Sequence, residues 1–167
     1  MTRILILAWG VYGSSLIATA YFTRATRRRI LGALAGGGAV ALVGTGVEAL
    51  GHARGWWRYT FDDTPIGPLA MYPSIVVAFA VLAWIGWRVA RRFGTRGLRV
   101  FLGILAVVGT LRDYLIAGRL MGLVEFAPGV VPAIIDGLLW AGLTGLAIAV
   151  LRAVSGPARD DERADRA

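Results

Sequence analysis

Polar positions in this chain are confined to short intervals between long apolar runs. A helix needs about 20 mainly apolar residues to cross a hydrocarbon core of about 30 Å. Five runs meet that length, and they cover approximately residues 4–22, 30–50, 66–87, 98–117 and 130–152. The pattern therefore predicts an all-α polytopic membrane bundle of five transmembrane helices, in a single domain over residues 1–155.

The residues after the last run have a different composition. The segment SGPARDDERADRA opens with glycine and proline and continues with mixed charge. Such a segment cannot bury enough apolar surface to offset the entropy of ordering the chain. We therefore expect residues 156–167 to form a disordered, charged tail.

Arginines between the apolar runs indicate how the helices are oriented. They concentrate in the first and third connections, and basic residues in short loops favour the cytoplasmic side of a membrane. The second connection instead balances Arg54 and Arg58 against Asp62 and Asp63. These charges predict a multi-pass protein of the cell membrane, with its N-terminus outside and its C-terminus and tail in the cytoplasm.

The overall composition narrows the class of protein further. Hydrophobic residues make up 57% of the chain, and the mean hydropathy is +0.66. The formal charge is +8, but the basic residues do not form the continuous surface that nucleic-acid binding requires, so we expect no nucleic-acid partner.

The chain contains no cysteine and one histidine, which argues against disulfides and against a metal centre. It has no lysine for a phosphate-binding loop, and we expect no cofactor.

Ionisable residues inside apolar runs are costly and are therefore candidates for a functional site. At 1.5 Å per residue, Glu48 lies about 27 Å from the inner end of the second run, and Arg112 and Asp113 lie about 21–22 Å from the inner end of the fourth. Asp136 lies about 9 Å below the outer end of the fifth run. The four side chains are thus expected at one depth, in the outer third of the membrane. Arg112 and Asp113 fit a structural ion pair, but adjacent helix residues point in different directions. We therefore expect Arg112 to pair with Asp136 and Asp113 to face another neighbour.

The second connection adds aromatic groups beside this level. We expect a lid, formed by Trp56, Trp57, Tyr59 and Phe61, over a cavity. Tyr59 and His52 are expected to support the site, and the substrate-binding residues are expected to be Trp56, Trp57 and, from the fifth run, Trp140. Tryptophans at this position also fit an interfacial aromatic belt. His52 near the interface also fits a solvated residue without a catalytic role.

The predicted cavity has the groups needed for acid and base chemistry without a cofactor. Two carboxyl groups in a low-dielectric pocket can be held in different protonation states. Glu48 and Asp136 are the main candidates, with Asp113 as a third carboxylate and Arg112 in support. A substrate that reaches this depth is lipophilic, and aromatic rings can stabilise a carbocation formed on it.

Several of these residues also suggest known families. The pattern of Glu48, Gly55, Trp56, Tyr59, Gly67, Pro68, Pro73 and Trp84 resembles integral-membrane carotenoid-biosynthesis proteins of the hydratase type. A membrane acid on one helix with Asp136 on a late helix is similar to the two carboxylates of small integral-membrane terpene cyclases. The resemblance implies catalytic roles for Glu48 and Asp136 in cyclisation or hydration of an isoprenoid or terpenoid substrate.

Two other classes of function stay open at this stage. An accessory or scaffold subunit would use the buried charges to fix helix register and to dock a membrane partner or a second copy of the chain. A small transporter or proton-conducting protein would use Glu48, Asp113 and Asp136 as a relay. In every case we expect the ligand or partner to be a membrane lipid, a lipophilic small molecule or another membrane protein.

Overall fold

The computed structural model describes residues 2–23, 25–60 and 69–156, and these residues are mostly helical. The helices are α1 (Thr2–Thr23), α2 (Arg27–Ala53), α3 (Tyr72–Leu111) and α4 (Val130–Ser155). The shorter elements are strand β1 (Trp57–Tyr59), a 3-10 turn (Leu69–Met71), a π-helical segment (Arg112–Leu120) and strand β2 (Val124–Phe126). The all-α prediction is thus confirmed apart from two short strands. The predicted tail beyond residue 156 lies outside the described residues, as do Phe61, Asp62, Asp63, Gly67 and Pro68.

Within the described ranges, three helical stretches are long and apolar enough to cross a membrane. They are Arg27–Ala53, Tyr72–Leu120 and Val130–Ser155, which fits the expectation of a membrane protein. The second of these stretches has 49 residues and would extend about 74 Å if it were straight, more than twice the thickness of the hydrocarbon core.

The long stretch is not straight, because the chain reverses direction at Gly94. There the backbone has φ 64° and ψ −160°, a combination that is essentially restricted to glycine. A methyl group placed on Gly86 would lie 2.9 Å from the ring of Phe101, whereas a straight helix would separate these residues by about 22 Å. Residues 72–93 and 95–111 therefore fold back against each other.

This reversal corrects the predicted connection at residues 88–97. The sequence predicted a ten-residue loop there, but the structure keeps these residues helical on both sides of Gly94. Arginine is a good helix former, so the basic residues that appeared to mark a loop do not end the helix. One glycine provides the turn that the whole segment was expected to provide.

The hydrophobic core lies between α2, the first half of α3 and α4. Its largest buried side chains include Val40, Trp84, Trp87 and Leu151. Helices α2 and α4 approach closely at glycine positions: a methyl group on Gly36 would lie 2.5 Å from the carbonyl oxygen of Ala147. Gly32 and Gly36 lie four residues apart on α2, and both face the backbone of α4 closely, which is the packing that small residues at this spacing allow.

Strands β1 and β2 join two connections that are distant in sequence. They pair antiparallel, with Trp57 opposite Phe126, Arg58 opposite Glu125 and Tyr59 opposite Val124. The connections after α2 and before α4 consequently lie at the same end of the bundle. The sequence analysis predicted no strands here. We call this end of the bundle the sheet end. The opposite end is called the arginine end; there, Arg88 Nη1 donates a hydrogen bond to the carbonyl oxygen of Thr23.

Candidate functional site

A cavity of about 400 Å³ lies at the sheet end, between the hydrophobic core and the two strands. Every helix contributes to its wall, as do both strands and the π-helical segment. Three carboxylates line it, from three different elements: Glu48 of α2, Asp113 of the π-helical segment and Asp136 of α4. We call it the carboxylate cavity. The three carboxylates that were predicted to line a single cavity thus do so in the structure.

Glu48 is held by an indole that rests on a neighbouring glycine. Trp57 Nε1 donates a 2.8 Å hydrogen bond to Glu48 Oε2, and the Tyr59 hydroxyl is a second hydrogen-bond partner of this carboxylate. The indole of Trp57 lies where a side chain on Gly51 would be, since a methyl group at that position would overlap its ring. Gly51 lies one helical turn after Glu48, so the helix itself provides both the acceptor and the surface on which the donor rests.

Asp113 is held in the same way at the other side of the cavity. Trp140 Nε1 donates a 2.8 Å hydrogen bond to Asp113 Oδ2. The indole of Trp140 occupies the space beside Gly109, where a methyl group would overlap it. Again the glycine lies one turn from the carboxylate, this time before it. Two indole–carboxylate pairs thus line one cavity. In each pair the indole packs against a glycine: Gly51 lies on the same helix as Glu48, and Gly109 lies on the helix that precedes Asp113.

Asp136 has a different environment from the other two carboxylates. Its Oδ2 atom is buried and has no hydrogen-bond partner among the described residues. The Thr110 hydroxyl lies beside this carboxyl group, and Asp113, Glu48 and Arg112 lie within electrostatic reach of it. Asp136 lines the cavity but receives no indole N–H, so its environment differs from those of Glu48 and Asp113.

Arg112 contacts the neighbouring Asp113 rather than Asp136. Its Nη1 atom donates to Asp113 Oδ1, its Nη2 atom donates to the Tyr12 hydroxyl at 3.3 Å, and its guanidinium lies 5.9 Å from the centre of a Trp140 ring. The predicted pair of Arg112 with Asp136 is therefore wrong, and the alternative ion pair with Asp113 is present. Arg112 and Asp113 are the first two residues of the π-helical segment, and the long arginine side chain reaches the carboxylate of its neighbour.

The two strands cover the cavity with one face and meet the exterior with the other. Trp57, Tyr59, Val124 and Phe126 line the cavity. The central residues of the strands, Arg58 and Glu125, form an exposed ion pair on the outer face. This is the alternation expected of a strand with one buried face. The lid predicted from the second connection is therefore present, but the fourth connection forms half of it.

Tyr59 is positioned to act as a neutral donor in this lid. Burial raises the pKa of its hydroxyl, and the nearby charge of Glu48 raises it further. The hydroxyl consequently keeps its proton and its hydrogen bond to the Glu48 carboxylate.

Two of the predicted site residues lie away from the cavity. His52 is exposed and Trp56 does not line the cavity. Trp56 instead lies beside the guanidinium of Arg54, 5.9 Å from its ring centre. The alternative assignments of both residues, a solvated histidine and an interfacial tryptophan, fit these positions better than a direct contact with ligand.

The residues that carry the family resemblance are also dispersed. Glu48 and Tyr59 line the cavity, whereas Trp84 is buried in the core and is 1% exposed. Pro73 lies at the start of α3.

The sequence analysis missed several aromatic residues of the cavity wall. Tyr12 of α1 accepts the hydrogen bond from Arg112, and Phe79 of α3 stacks on Trp140 with ring centres 5.6 Å apart. Phe126 stacks on Tyr114 at 4.0 Å. The signal for Phe126 was present in the sequence, since WRY and VEF each place a charged residue between two aromatic or apolar residues, with opposite central charges.

Comparison with known proteins gives no assignment for this site. In the described part of the chain, no three acidic or histidine side chains are arranged to hold a metal ion. Neither protein-family models, nor curated proteins, nor solved structures give a match to this chain. The resemblance to carotenoid hydratases and terpene cyclases therefore stays a prediction.

Proposed function

We propose that this protein is a membrane enzyme that performs acid and base chemistry on a lipophilic substrate, of isoprenoid or terpenoid type, in the carboxylate cavity. The single observation that carries the proposal is the difference among its three carboxylates. Glu48 and Asp113 each accept a tryptophan N–H, whereas a buried oxygen of Asp136 has no partner among the described residues. Carboxylates with distinct environments in one pocket are the usual arrangement for separate acid and base roles.

The reaction that fits this arrangement begins with a proton on Asp136. The acid transfers it to one carbon of an alkene, a new C–H bond forms, and a carbocation remains on the other carbon. Attack by a second double bond closes a ring, or attack by water adds a hydroxyl group. Loss of a proton to a carboxylate then gives a neutral product, an isomer in the first case and a hydrate in the second.

Glu48 and Asp113 are the candidate acceptors for the proton that leaves. Both lie within electrostatic reach of Asp136, so a short proton transfer restores the starting state without a cofactor. Trp57, Phe79 and Trp140 present aromatic rings to the same cavity, and their negative faces favour a carbocation.

For the membrane arrangement we propose five crossings, with the two halves of α3 as separate spans and the sheet end outside. The reversal at Gly94 supports this arrangement, and the four arginines of residues 88–96 near the reversal support a cytoplasmic position for it. All four acidic side chains in the described residues lie at the sheet end. That distribution favours a one-ended pocket over a proton relay through the membrane.

The experiment compares the lipids of cells that express the wild-type chain with those that express Asp136→Asn. Mass spectrometry of total lipid extracts should reveal a product that is either isomeric with its precursor or heavier by one water. In Asp136→Asn that product should fall at least about tenfold and the precursor should accumulate, as expected for the loss of a general acid.

Glu125→Gln is the matched control, because it removes an acidic group of the sheet end that lies outside the cavity. It should leave the product unchanged. Folded yield in detergent separates chemistry from folding. If Asp136→Asn folds normally and makes as much product as the wild type, or if the wild-type extract differs in no lipid from that of cells without the gene, the proposed reaction is wrong.

A further inference from the structure

The charges and rings of the carboxylate cavity specify a class of ligand. The cavity wall contains three carboxylates and one guanidinium, and that guanidinium is already paired with Asp113. Glu48 is held by Trp57 and Tyr59, which are neutral donors and do not cancel a negative charge. No other basic side chain of the described residues lines the cavity. When its acids are ionised, the cavity therefore carries an excess of negative charge.

The carboxylates are accompanied by aromatic rings on several sides. Trp57 and Tyr59 come from the lid, Phe79 from α3, Phe126 from β2 and Trp140 from α4. Faces of such rings attract cations, and recognition of quaternary ammonium groups by aromatic cages uses this attraction. A cavity with this lining is suited to a positive group that is large and weakly hydrated, because such a group loses little hydration when it enters.

The rest of the wall is suited to a hydrocarbon chain. Val40 of α2 and Leu143 of α4 line the cavity about two helical turns from Glu48 and Asp136, respectively, on the side toward the arginine end. A volume of about 400 Å³ is within the usual range of small-molecule sites. One end is thus anionic and aromatic, and the other is apolar.

We propose that the carboxylate cavity binds cationic amphiphiles, with a tertiary or quaternary ammonium head between Asp136 and the aromatic rings and an alkyl chain along the apolar wall. This inference rests on the proposed function only in that both concern the carboxylate cavity. An ammonium group is also the stable counterpart of the carbocation in the proposed reaction, so the same ligands should act as inhibitors of that reaction.

The test measures binding of decyltrimethylammonium to the purified full chain in an uncharged maltoside detergent. The reference ligand is its hydrocarbon isostere, in which a carbon atom replaces the nitrogen, and decyl sulfate is the anionic counterpart. Trp57 and Trp140 line the cavity, so a change in intrinsic tryptophan fluorescence reports occupancy. We expect the ammonium ligand to bind at least about tenfold more tightly than the isostere, which corresponds to about 1.4 kcal/mol, and decyl sulfate to bind more weakly than both.

Asp136→Asn should reduce the preference for the ammonium ligand over the isostere to about threefold or less, and Glu125→Gln should leave it unchanged. Equal binding of the ammonium ligand and the isostere by the wild-type chain would overturn the inference without any variant. A preference that survives in folded Asp136→Asn would overturn the assigned position of the head group. The lipid analysis is independent of these binding results. If the wild-type chain makes a product that depends on Asp136 but does not prefer the ammonium ligand, the proposed function stands and this ligand class is rejected.

Discussion

Trp140 donates its indole N–H to Asp113 across a 2.8 Å hydrogen bond that joins α4 to the π-helical segment. Trp140→Phe keeps most of the ring and removes this donor. Since a hydrogen bond to a charged group contributes about 1.5–3 kcal/mol, we expect the free energy of unfolding to fall by that amount. Equilibrium unfolding in mixed maltoside and dodecyl sulfate micelles measures it. Trp9→Phe, at an exposed tryptophan, should change it by less than about 0.5 kcal/mol; equal losses in both variants would argue against a role for this hydrogen bond.

Gly109 provides the space in which the Trp140 indole lies. Gly109→Ala places a methyl group where the ring is, and we expect overpacking to destabilise the fold by about 1–3 kcal/mol. Gly103 lies on the same helix with open space beside it. Gly103→Ala should therefore leave stability unchanged or raise it by up to about 1 kcal/mol. The same unfolding assay applies, and a Gly109→Ala protein as stable as Gly103→Ala would contradict the described position of the indole.

Gly94 makes the reversal within α3 through its backbone angles alone, since no other group lies within 4 Å of the position a side chain would take. Gly94→Ala should cost about 1–3 kcal/mol of unfolding free energy because these angles are strained for any residue with a Cβ. Gly38→Ala is the control, at a helical glycine that also faces open space. A loss no larger than that of the control would mean that the chain does not turn at Gly94 in this way.

The register of the two lid strands can be tested with an introduced disulfide. The natural chain contains no cysteine, so any cross-link comes from the introduced pair. Arg58 lies opposite Glu125, and opposed strand residues have Cα separations that a disulfide can bridge. The double variant Arg58→Cys with Glu125→Cys should form an intramolecular cross-link under mild oxidation, seen as a mobility change that reductant reverses. The off-register pair Arg58→Cys with Ala127→Cys should cross-link much less. Similar yields from the two pairs would reject the β1–β2 pairing and the shared end of the two connections.

Counting residues along apolar runs was sufficient to bring Glu48, Asp113 and Asp136 to one level. That count depends only on helix rise and on where each run begins, which the composition defines well. It was insufficient for the partners of these acids, because a residue count gives depth but not the direction of a side chain, and Arg112 reaches its neighbour Asp113 rather than Asp136. The lid was half predicted for a related reason: β1 and β2 are three residues each, too short for periodicity to identify, and their pairing depends on contacts between distant parts of the chain.

The single-residue turn at Gly94 has a consequence for the way the chain enters a bilayer during synthesis. Because the helix continues on both sides of Gly94, residues 72–93 and 95–111 are joined without a separate loop. With the five crossings that we propose, the two halves would enter the bilayer together as a hairpin, and its arginine-rich turn would stay on the side of entry. Insertion of that hairpin would also carry Asp113 and the α3 wall of the carboxylate cavity to the sheet end.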